Sequence, residues 1–175
     1  MLAGGRSRRM GRDKALLPFR GATLAAALAQ IVREAAGSAV LVGHPALGGI
    51  PDRYPGEGPL GGILSALHHT SAEWNLIVAC DMPRVTVPFL RRLLDQAEAA
   101  ACDVLLPHSP GGRPEPLCAV YRRGARQTIE NAFRAGIRKV TLALEELDVY
   151  RLEVTEAVQF QNVNTPEDWS EYAAG

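Results

Sequence analysis

Lysine is almost missing from this chain: of nineteen basic side chains only Lys14 and Lys139 are lysine, and the other seventeen are arginine. Aromatic residues are few, at 6%. No stretch approaches the ~20 consecutive apolar residues that a membrane span needs, and the amino-terminal segment lacks the apolar core of a secretory signal. A cytoplasmic protein with no membrane partner is therefore expected. Nineteen acidic residues offset the nineteen basic ones, leaving no overall field to draw the chain to nucleic acid. Cys80, Cys102 and Cys118 are odd in number and show no CxxC spacing, and with His44, His68, His69 and His108 they make no zinc pattern. Three reduced, buried thiols are expected instead.

At 175 residues the chain reads as one domain, 1–175, long enough to hide roughly 70% of its extended surface. Helical and extended patterns alternate along it. Leu24, Leu28, Ile31, Val32 and Ala35 recur at helical spacing and Gly37 follows as a stop, after which Ala39 to Val42 reads as a short strand. A turn-rich segment from Gly43 to Gly58 leads to a helix over Pro59 to His69, and "WNLIVAC" is an apolar run of the kind buried in a parallel sheet. Pro88 opens another helix, with Leu90, Leu93, Leu94 and Ala97 on one face, and "DVLL" supplies the next strand. The second half adds a strand "LCAVY", a helix ending at Gly136, a short helix near Val140 to Leu147 and a strand near Tyr150 to Val154. Thr165 then caps a last helix, with Pro166 and Asp168 placed as in a capping box. This alternation predicts an α/β fold, a three-layer sandwich around a mostly parallel mixed sheet, with ligands gathered at the carboxyl ends of the strands.

What the chain does have is concentrated charge and glycine at its start. "MLAGGRSRRMGRDKALL" places adjacent glycines, five cationic side chains and an aspartate within fourteen residues. Neither the Gly-Lys-Ser/Thr of a P-loop nor GxGxxG is present. Successive backbone N–H groups in such a loop can face one concavity, and Lys14 can add a point charge to a phosphate held there. The competing reading is a tight turn with a solvated basic patch. A nucleic-acid arm fits less well, since no aromatic is interleaved for stacking.

Four further segments carry chemistry. "GEGPLGGI" starts a helix and leaves Gly58, Gly61 and Gly62 without side chains, either to admit a flat base or for packing. "LIVACDMP" puts Asp81 at the end of a buried strand, as a metal ligand or as a helix cap. "FQNVNTPED" holds Asn162 and Asn164 on one face of an extended stretch, facing a ligand or forming an Asx turn. In "GGRPEP", Arg113 meets an anion or decorates a loop.

"LAGGRSRRMGRDKALLPFRG" resembles the LAGGxSxRMGxDKxLL signature of the bacterial molybdenum cofactor guanylyltransferases, nucleotidyltransferases of Rossmann-like fold. The match continues in order through "PDRYPGEGPLGGI", "ACDMP", "RPEPLCAVY" and "NVNTPED", across nearly the whole chain. The resemblance implies that Leu2, Ala3, Gly4 and Gly58 wall a guanine pocket, that Asp52 reads the guanine edge, and that Gly4 and Gly5 with Arg9 and Lys14 hold the triphosphate. An aspartate suits guanine because N1–H and N2–H₂ are both donors. Asp81 is implied to bind Mg²⁺, and Asn162, Asn164 and Arg113 to contact the pterin.

The implied reaction joins GTP to molybdenum-molybdopterin and releases pyrophosphate, with Lys14, Arg9 and Asp81 as the catalytic set. Transient contact with a molybdoenzyme or another cofactor-synthesis protein is expected. Two alternatives stay open: a relative using CTP on the same pterin or loading a sugar phosphate, and a non-catalytic adaptor that carries nucleotide or cofactor. Retention of both Lys14 and Asp81 argues against the adaptor. Only Met1, Leu2 and Ala3 precede the glycines, so an apolar strand continuing upstream of Met1 is also expected.

Overall fold

A computed structural model describes residues 1–4 and 13–174. Two short strands, β1 (Pro18–Phe19) and β2 (Ala22–Thr23), form an antiparallel pair ahead of α1 (Leu24–Ala36). The order then runs α2 (Gly58–His69), β3 (Trp74–Val78), α3 (Val87–Ala100), β4 (Val104–Ser109), β5 (Arg113–Pro114) and β6 (Cys118–Arg122). It ends with α4 (Arg126–Arg134), α5 (Val140–Ala143), β7 (Val149–Glu153) and α6 (Pro166–Ala174).

Helix limits follow local chemistry. Thr23 accepts a hydrogen bond from the Ala26 amide at the start of α1, and Gly37 ends that helix in the left-handed region with its N–H on the Arg33 carbonyl. Thr86 caps α3 in the same way, one residue before the first helical position. At α6 the expected capping box is present: Asp168 N–H bonds the Thr165 hydroxyl, and the Asp168 carboxylate accepts from the Thr165 and Asn164 amides.

β3 pairs antiparallel with β6, β6 antiparallel with β4, and β4 antiparallel with β5 and parallel with β7. On the far side of β3 the sheet continues as single parallel bridges, Leu2 with Ala79, Leu2 with Val42 and Val42 with Ile50. The expected α/β fold is present, but the sheet is not mostly parallel: of its four ladders among the described residues only β4–β7 is parallel. "LCAVY" forms β6, which runs against both its neighbours, and on the opposite flank extended segments touch through one residue each instead of forming ladders. For the same reason Ala39 to Val42 does not form the expected strand and pairs at Val42 alone.

The pleat sends alternate residues to opposite faces. Leu76, Val78, Leu105, Cys118 and Val120 join Leu24, Leu28, Leu90 and Leu93 in a core beneath α1 and α3. Ile77, Val104, Leu106, Ala119 and Tyr121 join Leu60, Ile63, Leu64 and Ile129 in a second core beneath α2 and α4. Helices therefore cover both faces. Of the three thiols, Cys102 and Cys118 are buried and Cys80 is half-buried, and all three are free.

Leu28 is fully buried between α1 and the sheet. Leu28→Ala is expected to cost about 2–5 kcal/mol through lost transfer energy and a residual cavity. Urea unfolding checks this, and a loss under about 1 kcal/mol would show that the α1 layer closes over the gap.

Candidate active site

Because the pairings around Leu2 are parallel, three chain segments end at the same edge of the sheet. Gly4 follows Leu2, Gly43 follows Val42, and Asp81 follows Ala79. Hydrogen bonds fix this register: Leu2 N–H to Val78 O at 2.8 Å, Cys80 N–H to Leu2 O at 2.9 Å, and Ala3 N–H to Val42 O at 2.9 Å. Gly4 and Gly43 pack backbone to backbone, and a Cβ on Gly43 would lie 2.7 Å from the Gly4 Cα. Gly43 also has φ +85, so a side chain is disfavoured there twice over.

Lys14 opens a short 3₁₀ turn whose start Asp13 caps by accepting the Ala15 amide. Its ammonium donates to Asn164 Oδ1 at 2.7 Å and lies 3.8 Å from Asp81 Oδ2. Residues from the beginning, middle and end of the chain thus meet at one point. The Val163 amide bonds the Asp81 carbonyl at 2.8 Å, so the residue between Asn162 and Asn164 is tied to that aspartate.

Asp81 is the electrostatic centre. Burial raises its carboxyl above the ordinary carboxylate range, with Lys14 pulling in the opposite direction. Its Oδ1 is buried and has no hydrogen-bond partner among the described residues, and the same holds for Oδ1 of Asn162. Among the described residues no group of three or more His, Cys, Asp or Glu side chains is placed to hold a metal by itself. An orphaned carboxylate oxygen fits Mg²⁺, which takes one or two carboxylates together with substrate phosphates and waters. Burial and the adjacent Asp81 push the Cys80 thiol up to about 12, so it is no nucleophile.

Asp52 lies on the loop ahead of α2. Its Oδ1 accepts from the Tyr54 amide at 2.9 Å and from the Ser65 hydroxyl at 2.7 Å, while Oδ2 takes no hydrogen bond from the described residues. Gly58 is exposed with φ +75 at the start of α2. Leu2 and Ala3 are buried, with Leu2 packed near Gly62, so they can face a nucleotide only through backbone. The Gly4 amide is donated to Val42 O at 3.0 Å. Gly5 and Arg9 lie outside the described residues.

Arg113, Asn162 and Asn164 line one cleft of about 550 Å³ beside α6, together with Arg84, Asp168 and Tyr172. Arg84 stacks over the Tyr172 ring at 4.9 Å. Sequence reasoning missed Arg84, Tyr172, Gly43 and Ser65. His44 Nε2 is 2.8 Å from Asp13 Oδ2, and His68 Nε2 is 3.4 Å from the buried Glu130. Only Gly43 had a readable signal, a glycine at the end of a short apolar run.

The state of Asp81 has a consequence for stability. A carboxyl whose folded-state pKa is raised binds protons more readily when folded, so its contribution to stability falls as pH rises from the unfolded value of 3.8 through the folded one. Without nucleotide or metal, Asp81→Asn is expected to melt higher than the parent at neutral pH. The gap should shrink as pH is lowered toward about 4. Thermal melts across that range test it, and a variant less stable at neutral pH would show that the Lys14 pairing outweighs burial.

Residues 1–148 match the family model described as the MobA-like NTP transferase domain. A molybdenum cofactor guanylyltransferase from Xanthomonas euvesicatoria pv. vesicatoria is 35% identical, over 97% of this chain and 90% of its own length. A probable molybdenum cofactor guanylyltransferase from Pelotomaculum thermopropionicum is 36% identical, over 96% and 87%. The crystal structure of molybdopterin-guanine dinucleotide biosynthesis protein A from Archaeoglobus fulgidus superposes with a TM-score of 0.81 at 32% identity, covering 97% of this chain and 93% of that one. With the glycine-flanked sheet edge, Lys14 and Asp81 in place, the chain belongs to the MobA-like NTP transferase family.

Proposed function

We infer that this protein transfers GMP from GTP to molybdenum-molybdopterin, forming molybdopterin guanine dinucleotide and releasing pyrophosphate. Likeness to molybdenum cofactor guanylyltransferases over nearly the full length supports the activity. The observation that carries the site is the convergence of Lys14, Asp81 and Asn164 at the carboxyl edge of the sheet. A cytoplasmic setting and a single domain spanning the chain go with this reading.

The chemistry needs no side-chain nucleophile. An oxygen of the pterin's terminal phosphate attacks the α-phosphorus of GTP, a new P–O bond forms, and the bond from that phosphorus to the α–β bridging oxygen breaks. Pyrophosphate leaves with the electron pair. The protein's part is positioning and charge neutralisation. Lys14, held by Asn164 and Asp81, supplies a fixed positive charge to the triphosphate, and Arg9 and Gly5 of the opening loop act with it. Asp81 would hold Mg²⁺ through its orphaned Oδ1, and the bound ion would draw charge from the α-phosphate. Asp52 reads the guanine, with Gly4 and Gly58 leaving room for the base and ribose. Arg113 and Asn162, across the cleft beside α6, contact the pterin substrate, and Asn164 joins that cleft to Lys14.

The direct test incubates the purified protein with Mg²⁺, molybdenum-molybdopterin and GTP or CTP, and identifies the product by mass. The guanine dinucleotide is expected. The cytosine product would move the protein to the CTP-using branch, and bound but unreacted nucleotide would make it an adaptor. Lys14→Ala is expected to lower turnover roughly a hundredfold, equivalent to ~2.7 kcal/mol of transition-state stabilisation. Turnover within about threefold of the parent would remove Lys14 from the catalytic set. Asp81→Asn is expected to require much higher Mg²⁺, and an unchanged Mg²⁺ dependence would place the metal elsewhere.

A further inference from the structure

We propose that Ser65 is a positioning residue for nucleotide selection: its buried hydroxyl fixes the Asp52 carboxylate so that Oδ2 alone is presented to the purine. The inference rests on the reading of Asp52 as the guanine contact.

Ser65 lies within α2 and is 3% exposed. Its Oγ donates to Asp52 Oδ1 at 2.7 Å and accepts the Arg53 amide at 2.9 Å. The Tyr54 amide bonds the same Oδ1. That last bond alone makes an Asx turn, the ordinary reason for an aspartate in a loop. The added hydroxyl, reaching in from a helix thirteen residues away, does something the turn does not require. It fills the second lone pair of Oδ1 and fixes the plane of the carboxylate.

The surroundings are equally fixed. Tyr54 packs against Gly61 of α2, where a Cβ would meet the Tyr54 backbone oxygen at 3.0 Å, and its ring lies 4.9 Å from that of Phe133. The Asp52 Cβ is 3.9 Å from the position a Cβ would take on Gly43, so the carboxylate adjoins the paired glycines at the sheet edge. With Oδ1 saturated, guanine N1–H and the 2-amino group cannot take one oxygen each. They share Oδ2, and the direction of that oxygen, which Ser65 sets, controls both contacts.

The test is a double-mutant cycle read by calorimetric binding of GTP and of inosine triphosphate, which lacks the 2-amino group. Asp52→Ala and Ser65→Ala are each expected to weaken GTP about tenfold, as for one buried hydrogen bond left unmade, with a smaller effect on inosine triphosphate. In the Asp52→Ala background, Ser65→Ala should add nothing. Ser65→Cys, close in volume and a much weaker donor, is carried alongside so that a packing defect in the alanine variant does not decide the result. Unchanged GTP affinity in Asp52→Ala would overturn the reading of Asp52 itself. If Asp52→Ala weakens GTP but the Ser65 variants do not, or if their losses persist undiminished in the double variant, Asp52 stands and the role of Ser65 is overturned. Equal weakening of both nucleotides by the Ser65 variants would likewise overturn it, since a loosened loop does not distinguish the bases.

Discussion

The site depends on a three-residue stretch of backbone. Met1 to Ala3 sit between the segment around Val42 and the end of β3, and Leu2 bonds to Val78 and Cys80 on one side while Met1 and Ala3 bond to Val42 on the other. These contacts are single bridges, so no long ladder holds them in register. Side-chain burial does it instead: Met1 enters the core beneath α1 and α3, and Leu2 the core beneath α2 and α4. A slip by one residue would exchange those faces. The register in turn sets where Gly4, Gly43 and Asp81 lie at the sheet edge.

Electrostatics then distinguish a packed edge from a reactive one. Native proteins satisfy buried polar atoms, yet among the described residues Asp81 and Asn162 each keep a buried oxygen without a partner, and Asp81 also faces the Lys14 ammonium. A carboxylate raised by burial weakens the ligand-free protein at neutral pH. Such a group persists where a ligand completes it, and a divalent cation is a complement that a buried carboxylate oxygen fits.

How much of this was legible follows from the range of the interactions involved. Helices α1, α3 and α6 were readable because caps and apolar periodicity act within a few residues, as at Thr23, Gly37 and the Thr165–Asp168 box. The direction of β6 was not, since an apolar run such as "LCAVY" suits either orientation and the choice is made by its two neighbours. Lys14 and Asp81 stood out by residue type and place. Asn164, which accepts from the Lys14 ammonium, is 150 residues away from it, and no local pattern announces a contact of that span. Ser65 is hidden for another reason: a lone serine among apolar helical residues reads as a small packing residue, and only its distance to Asp52 gives it a purpose.

On the function proposed above, the Lys14–Asn164 hydrogen bond would hold two substrates in one geometry. Asn164 belongs both to the Lys14 cluster and to the cleft that contains Arg84, Arg113 and Tyr172. Its backbone N–H donates to the Asp168 carboxylate, which is itself locked into the cap of α6. Movement of α6 would therefore shift the cleft and the lysine together. In an in-line transfer the attacking and departing oxygens must stay aligned through the reaction, and a positioning error of about 1 Å can cost a hundredfold in rate. On the function proposed above, a single asparagine anchored at both ends would couple the pterin side to the charge that holds the triphosphate.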